Sequence, residues 1–357
     1  MNTKPNFLLI FFCMSGFCLA NAHAADSPSP DVVDFLNDLG TKAAEAGKRN
    51  ESVIAGSHGW LFFAGEFRAL SIGPFWGANA AKTSRANNRS YVDPLPAIVD
   101  FHRQLKQAGI RLILAPIPAK AAVYPEFASA KMEGKVSATE FPRIDVHHAR
   151  FYQILREQGI DVLDLLPLFV KHRHDENGLM FCKTDTHWSG QGARLAAQAI
   201  AARIKTDDWY QATPKKMFSR VDREKTVTGD MARMVNESSP VTENLPLVYV
   251  GRKTSSGLEP VEPQRDSPLL LIGDSHTLVF HDPALHSRGA GLPDHLALEL
   301  GMAVDLIGVR GSGATTTRIS LLRRRDNLAG KKAVVWCLSF REFTESFDGW
   351  RKVPVIR

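Results

Sequence analysis

Leu269-Leu270-Leu271-Ile272-Gly273-Asp274-Ser275-His276 is an apolar run that ends abruptly in Gly-Asp-Ser. Such a run is the pattern of a buried strand. A strand that ends this way delivers a serine onto a tight turn at the edge of a sheet. A serine hydroxyl is a poor nucleophile unless a neighbouring base takes its proton. The chain supplies a base and an acid upstream, in Lys183-Thr184-Asp185-Thr186-His187-Trp188-Ser189-Gly190. Asp185 and His187 are two apart and just precede a helix-like segment, so a carboxylate and an imidazole from one short turn can approach the same serine. Together Ser275, His187 and Asp185 point to a Ser-His-Asp hydrolase or acyl transferase. Such triads occur in several chain orders, so the order here is no objection.

Outward from this stretch, helical and apolar strand patterns alternate. An amphipathic helix is expected between about Asp26 and Lys48, with Val33, Phe35, Leu36 and Leu39 on one side. Ser52-Val53-Ile54-Ala55-Gly56 leads into Gly59-Trp60-Leu61-Phe62-Phe63, a turn and then a strand, and Ser84 to Tyr91 reads as a loop. Pro96 to Ala108 is a helix closed by Gly109, followed by a strand at Arg111 to Pro116. Val146 to Glu157 is a helix ended by Gly159, followed by a strand at Asp161 to Leu165. Ser189 reads as the N-cap of a helix running to Ile204. Leu269–Ile272 and Ala333–Leu338 complete the apolar strands. This alternation predicts an α/β fold, a mostly parallel central sheet with helices on both faces. Ligands of such sheets sit beyond the carboxyl ends of the strands, where Ser275 falls. The polar stretch at about 205–266 has little periodicity and reads as an insertion in a single domain spanning 25–357.

Residues 1–24 read as a cleavable secretory signal: Lys4, then an apolar core from Phe7 to Leu19, then Ala22-His23-Ala24 ahead of polar Asp26-Ser27-Pro28. An uncleaved signal anchor is the alternative. Phe12 and Phe17 precede Cys13 and Cys18 where a lipoprotein signal needs a small residue, which argues against a lipid anchor. Cys182 and Cys337 then remain, and export permits either a disulfide or two buried thiols. The chain carries 44 Lys and Arg against 38 Asp and Glu. This mild basicity suits an anionic partner, but no basic run interleaved with stacking aromatics marks a nucleic-acid binder. Arg323-Arg324-Arg325 reads as a solvated helix face.

The Asp185-Thr186-His187-Trp188 and Gly273-Asp274-Ser275 motifs, in this order, resemble the SGNH-hydrolase-like domain of the alginate O-acetyltransferase family of bacterial exopolysaccharide acetylation. Weaker pieces run along most of the chain: Val53-Ile54-Ala55-Gly56 with Gly59-Trp60-Leu61-Phe62, Pro116-Ile117-Pro118-Ala119-Lys120 with Tyr124-Pro125, Val309 to Ala314, and Val335 to Phe343. The resemblance implies an SGNH-hydrolase-like three-layer α/β sandwich, a periplasmic location and transfer of acetyl groups to an exopolysaccharide such as alginate. It also implies a membrane-bound acyltransferase as acetyl donor and a polymer export complex as partner. No cofactor is expected.

Residue roles follow from the chemistry. Ser275 is the candidate nucleophile, His187 the general base and Asp185 its orienting acid; their bland alternatives are a helix-capping serine, a buried histidine and a cap. A tetrahedral oxyanion needs preorganised donors. The Ser275 N–H is one candidate and Gly311 and Gly313 are others, because glycine lets backbone N–H groups approach a ligand. Arg310, Arg341 and Lys120 are candidates for the oxyanion or an anionic sugar, with a surface salt bridge as the alternative. Trp188 packs beneath the histidine or stacks on a sugar ring, and His276 lines the pocket. His172-Arg173-His174-Asp175, with His147-His148 upstream, offers a competing metal constellation, disfavoured because it is charged, loop-like and lacks a third histidine at helical spacing. The leading expectation is an O-acetyltransferase; a carbohydrate acetylesterase or a non-catalytic scaffold of a polysaccharide export complex are the alternatives.

Overall fold

A computed structural model describes residues 28–137 and 141–357. The expected leader at 1–24 lies outside the described residues. In chain order the strands are β1 (Val53–Ala55), β2 (Leu61–Phe63), β3 (Arg111–Ile117), β4 (Asp161–Val162), β5 (Ser219–Val227), β6 (Glu243–Thr254), β7 (Gly257–Pro260), β8 (Leu269–Gly273), β9 (Asp305–Gly308) and β10 (Ala333–Ser339). Five of them form one parallel sheet in the order β4-β3-β10-β8-β9. β10, the last strand in sequence, lies at the centre, with every position buried.

Side chains alternate across a strand, so β10 feeds two cores. Ala333, Val335 and Cys337 face one layer, with Ile113, Ala115, Leu269 and Leu271 and the helices Pro30–Lys48, Gly190–Ile204 and Leu292–Leu300. Val334, Trp336 and Leu338 face the other, with Leu112, Leu114, Leu270 and Ile272 and the helices Pro94–Gln107, Val146–Glu157 and Thr315–Arg324. This is why the central strands read as unbroken apolar runs: both faces are covered. The result is the expected three-layer α/β sandwich.

Several local expectations change. Val33 faces solvent, and Val32, Phe35, Leu36, Leu39 and Ala46 form the buried stripe of the first helix. The strand expected over Asp161–Leu165 stops at Val162, because Asp164 accepts from the Leu166 N–H and starts a helix over Leu166–Lys171. Arg324 turns inward, paired with Asp305 at 2.7 Å, so the arginine run is not wholly a solvated face. The polar stretch holds a three-stranded antiparallel sheet, β5-β6-β7. Cys182 and Cys337 are buried free thiols.

Behind the end of β10, His148 is fully buried among Phe75 and Phe340, with ring centroids 4.8 and 4.9 Å away, and among the described residues neither ring nitrogen has a hydrogen-bond partner. Burial pushes its imidazole down to about 3 from an ordinary 6.5. A histidine depressed in the fold is neutral there while the unfolded chain charges it. Its stability contribution is therefore whole above pH 6.5 and is lost as pH falls towards 3. A His148→Leu variant is expected to match or exceed the wild type by up to about 1 kcal/mol at pH 7. Urea midpoints at pH 7 and pH 4.5 check the sign: the wild type loses more stability over that interval than the variant.

Candidate active site

β8 ends at Gly273, where a Cβ would lie 1.8 Å from the Cys337 carbonyl oxygen of β10 and 2.5 Å from Cγ2 of Thr277. The chain passes through this gap and turns at once. Asp274 caps a 3₁₀ turn over Ser275–Thr277: its Oδ1 accepts from the His276 N–H at 2.9 Å and its Oδ2 from the Ser339 N–H at 2.7 Å. Burial raises the Asp274 carboxyl, but His276, Arg341 and the Ser339 N–H outweigh it and hold the group well below the usual carboxylate range. Ser275 is thereby fixed beyond the carboxyl end of β8.

The second half of the site is the turn between Phe181 and Trp188, closed by an antiparallel bridge between those two residues. Ser189 caps the following helix through the N–H groups of Gln191 and Gly192. His187 Nε2 lies 2.7 Å from Ser275 Oγ, and its Nδ1 lies 2.6 Å from Asp185 Oδ1. An ionised carboxylate only accepts, so Nδ1 carries the proton and Nε2 is the free acceptor facing the hydroxyl. Asp185 is almost fully buried. Its Oδ1 also accepts the His187 N–H at 3.0 Å, and its Oδ2 accepts the Asp230 N–H at 2.8 Å and His286 Nε2 at 2.9 Å. Burial alone would raise this carboxyl; the bonds from His187 and His286 outweigh burial and leave it well below the usual range.

The polar 205–266 stretch braces the turn. Asp230 opens the helix Asp230–Val235. Its Oδ1 accepts the Thr186 N–H and its Oδ2 the Thr186 hydroxyl, with Oδ2 4.0 Å from His187 Nδ1. Glu243, at the start of β6, accepts the N–H groups of Lys183 and Thr184 and the Thr184 hydroxyl. Gly229 lies against the Thr184 carbonyl so closely that a Cβ would sit 2.0 Å from its oxygen. Sequence reading missed Asp230, Glu243 and His286, which no local motif marks.

Other candidates are placed differently. Lys120 is fully buried, with Nζ donating to the carbonyls of Asp185 and Leu61, so it supports the turn from beneath rather than meeting a substrate. Trp188 is equally buried and donates Nε1 to the His276 carbonyl at 3.1 Å, the packing alternative rather than the sugar-stacking one. His276 is buried and bound to Asp274, so it does not line an open pocket. The Gly313 N–H is already given to Glu342 at 3.1 Å, which removes it as an oxyanion donor. Glu342 is buried beside Asp274 and pushed up to about 8. Gly311 has positive φ and open space around it. Arg310 is exposed and paired with Asp282, the salt-bridge alternative. Arg341 is half-buried, with its guanidinium 5.3 Å above the Phe63 ring.

Ligand-type atoms of Asp185, His187 and Asp230 lie within 4.8 Å of one another. Asp185 already accepts four donors, which suits a hydrogen-bonded relay better than an ion. The stretch at 172–175 does not converge: His172 pairs with Asp175, His174 Nε2 accepts from Arg173, and His148 is enclosed in its aromatic cage.

The sequence matches the family described as SGNH hydrolase-like domain, acetyltransferase AlgX, over residues 53–339. The chain belongs to this family. It is 26% identical over 287 residues to the probable alginate O-acetylase AlgJ of Pseudomonas aeruginosa, a match covering 76% of this chain and 65% of the relative. The chain thus spans a little under two thirds of that relative's length. Over 120 residues it is 30% identical to the Pseudomonas aeruginosa alginate biosynthesis protein AlgX, covering 32% of this chain and 23% of that one. The fold is shared with the O-acetyltransferase domain of Pseudomonas putida AlgJ, at a TM-score of 0.58, 22% identity and coverage of 82% and 92%. It is shared equally with Pseudomonas aeruginosa AlgX, at 0.58, 18% identity and coverage of 87% and 66%. No helix among the described residues is long and apolar enough to cross a membrane.

The gap at Gly273 gives the first test of the site. Gly273→Ala forces its methyl into a backbone carbonyl that belongs to the central strand. The expected cost is about 3 kcal/mol or more, read as a large drop in the urea midpoint. A variant as stable as the wild type would contradict the close strand passage.

Proposed function

We propose that this chain is a periplasmic O-acetyltransferase that acetylates an exopolysaccharide such as alginate through an acetyl-Ser275 intermediate. The observation that carries the reading is the relay Asp185–His187–Ser275, with contacts of 2.6 and 2.7 Å in line. Family membership and the O-acetylase relatives support the acetyl group and the polymer; a membrane-bound acyltransferase is the donor the reading implies. Residues 25–357 act as one unit in it, since the 205–266 stretch supplies Asp230 and Glu243 to the turn.

His187 Nε2 takes the proton of Ser275 Oγ as Oγ attacks the acetyl carbonyl carbon of the donor. The tetrahedral oxyanion meets the Ser275 N–H at the start of the 3₁₀ turn, with Gly311 and Arg341 as further candidates. The intermediate collapses as the donor oxygen leaves with the proton held on His187. A sugar hydroxyl then gives its proton to Nε2, attacks the acetyl carbon and leaves as the ester, with the proton returned to Ser275. Asp185 keeps Nδ1 protonated and stabilises the imidazolium at each transfer. Water in place of the sugar hydroxyl makes the same machinery an esterase.

The test combines a chromogenic acetyl ester with oligosaccharides of several polymers, followed by mass spectrometry of the sugar and of Ser275. Acetylated sugar is expected from the wild type. Ser275→Ala is expected to lower turnover by at least about a thousandfold, and Asp185→Asn by about 10⁴-fold through the wrong histidine tautomer. Free acetate without acetylated sugar would reassign the protein as an esterase, and acetylation undiminished in Ser275→Ala would sink both catalytic readings.

A further inference from the structure

The segment that leaves Ser275 does not run away from the site. It folds back over residues 278–290 and returns His286 to the carboxylate that orients the base. Its course is fixed at several points. The Phe280 N–H donates to the Leu285 carbonyl and the Ala290 N–H to the Phe280 carbonyl, each at 2.9 Å. His281 Nδ1 meets Asp294 at 3.0 Å, and Asp282 pairs with Arg310. Phe280 and His286 both hold positive φ, 61° and 78°, a region that residues other than glycine seldom occupy. Their rings pack together 5.6 Å apart. Two such residues in one short loop persist only where the surroundings over-determine them, and they cluster where a side chain must be aimed.

Resting on the catalytic reading above, we propose that His286 is a positioning residue of the site: its Nε2–H holds the outer oxygen of Asp185 so that the inner oxygen stays in line with His187 Nδ1. The geometry assigns the two oxygens separate tasks. Oδ1 serves His187 twice, through Nδ1 and N–H, while Oδ2 receives His286 Nε2 and the Asp230 N–H. With both oxygens anchored, the carboxylate cannot rotate about its Cβ–Cγ bond. With Oδ2 half released it can, and Nδ1 loses a fixed acceptor. The His286 side chain is 8% exposed and packs on the Phe280 ring, and among the described residues its hydrogen-bond partner is Asp185. The loop that carries it starts from the nucleophile's own turn, so one segment sets both the serine and the acid.

The experiment compares His286→Asn and His286→Gln in the purified full chain. Asparagine tolerates the left-handed backbone, but its amide is too short to reach Asp185; glutamine sets its nitrogen near the place of Nε2. Chromogenic ester turnover and the His187 Nδ1–H proton resonance are measured for each. The Asn variant is expected to lose about 10–100-fold in kcat with KM unchanged, and its Nδ1–H resonance to broaden through exchange with water. The Gln variant is expected to recover most of kcat and the sharp resonance. An Asn variant with wild-type kcat and resonance overturns the proposal, as does a Gln variant as impaired as Asn. An Asn variant that fails to fold assigns His286 to structure alone and also overturns it. A wild type without Ser275-dependent turnover removes the catalytic reading instead; the resonance in the two variants still decides whether His286 holds Asp185.

Discussion

The buried carboxylate of Asp185 constrains everything around it. A charge taken out of water is costly unless donors replace the lost hydration. Asp185 has four, and they come from three separate parts of the chain: its own turn, the loop that follows Ser275, and the helix that begins at Asp230. No one of these segments can shift without stripping a donor from the carboxylate. The need to satisfy one buried charge thus brings His187, the loop that follows Ser275 and the polar 205–266 stretch to a single point, on a sheet whose strands merely bring them near.

A second buried aspartate solves the same problem in the same local way, with a different outcome. Asp185-Thr186-His187 and Asp274-Ser275-His276 share the Asp-x-His spacing. In each, one carboxylate oxygen accepts both the N–H and Nδ1 of the histidine two residues on. The remaining contacts separate them. The other oxygen of Asp274 is taken by the Ser339 N–H, which pins the turn to the central strand. His276 is sealed below, its ring edge-on to Trp188, and burial lowers its affinity for a proton. His187 instead has Nε2 directed at Ser275. One motif pins the serine's turn to the central strand and the other turns its imidazole towards the serine hydroxyl, a distinction set by tertiary placement alone.

This explains what the sequence could reveal. The two-faced burial of β8 and β10 writes itself as unbroken apolar runs, and the Gly-Asp-Ser turn and the Asp-x-His pair are contiguous, so sheet, helices and relay residues were legible. Lys120 and Trp188 were legible as neighbours of the histidine, and the packing reading of Trp188 matches its burial, but the orientation of Lys120 was not legible. A lysine near that histidine suggests an anion contact, whereas here the ammonium serves the backbone carbonyls of Asp185 and Leu61, as the indole N–H serves that of His276. Gly313 misled in the same way, since Glu342 had claimed its N–H. Asp230, Glu243 and His286 act singly and at long range, and a lone acid or histidine in a polar stretch carries no pattern.

The antiparallel ribbon shows why its segment looked structureless. Seven consecutive positions of β5, Arg220 to Thr226, are exposed, so the strand has no apolar face to produce alternation. It is held by its ladder to β6, which is itself anchored through buried Leu245, Leu247 and Val250. The ribbon's ends matter most to the site. β5 runs out towards Gly229 and Asp230, and β6 begins at Glu243, so the two strands deliver both acids to the 183–187 turn from one side. Gly229 is the tightest point, with no room for a side chain against the Thr184 carbonyl. A ribbon with a solvent-facing outer strand is therefore a brace: its residues are free to vary in polarity along the strand, while its two ends must stay where the carboxylate of Asp185 requires them.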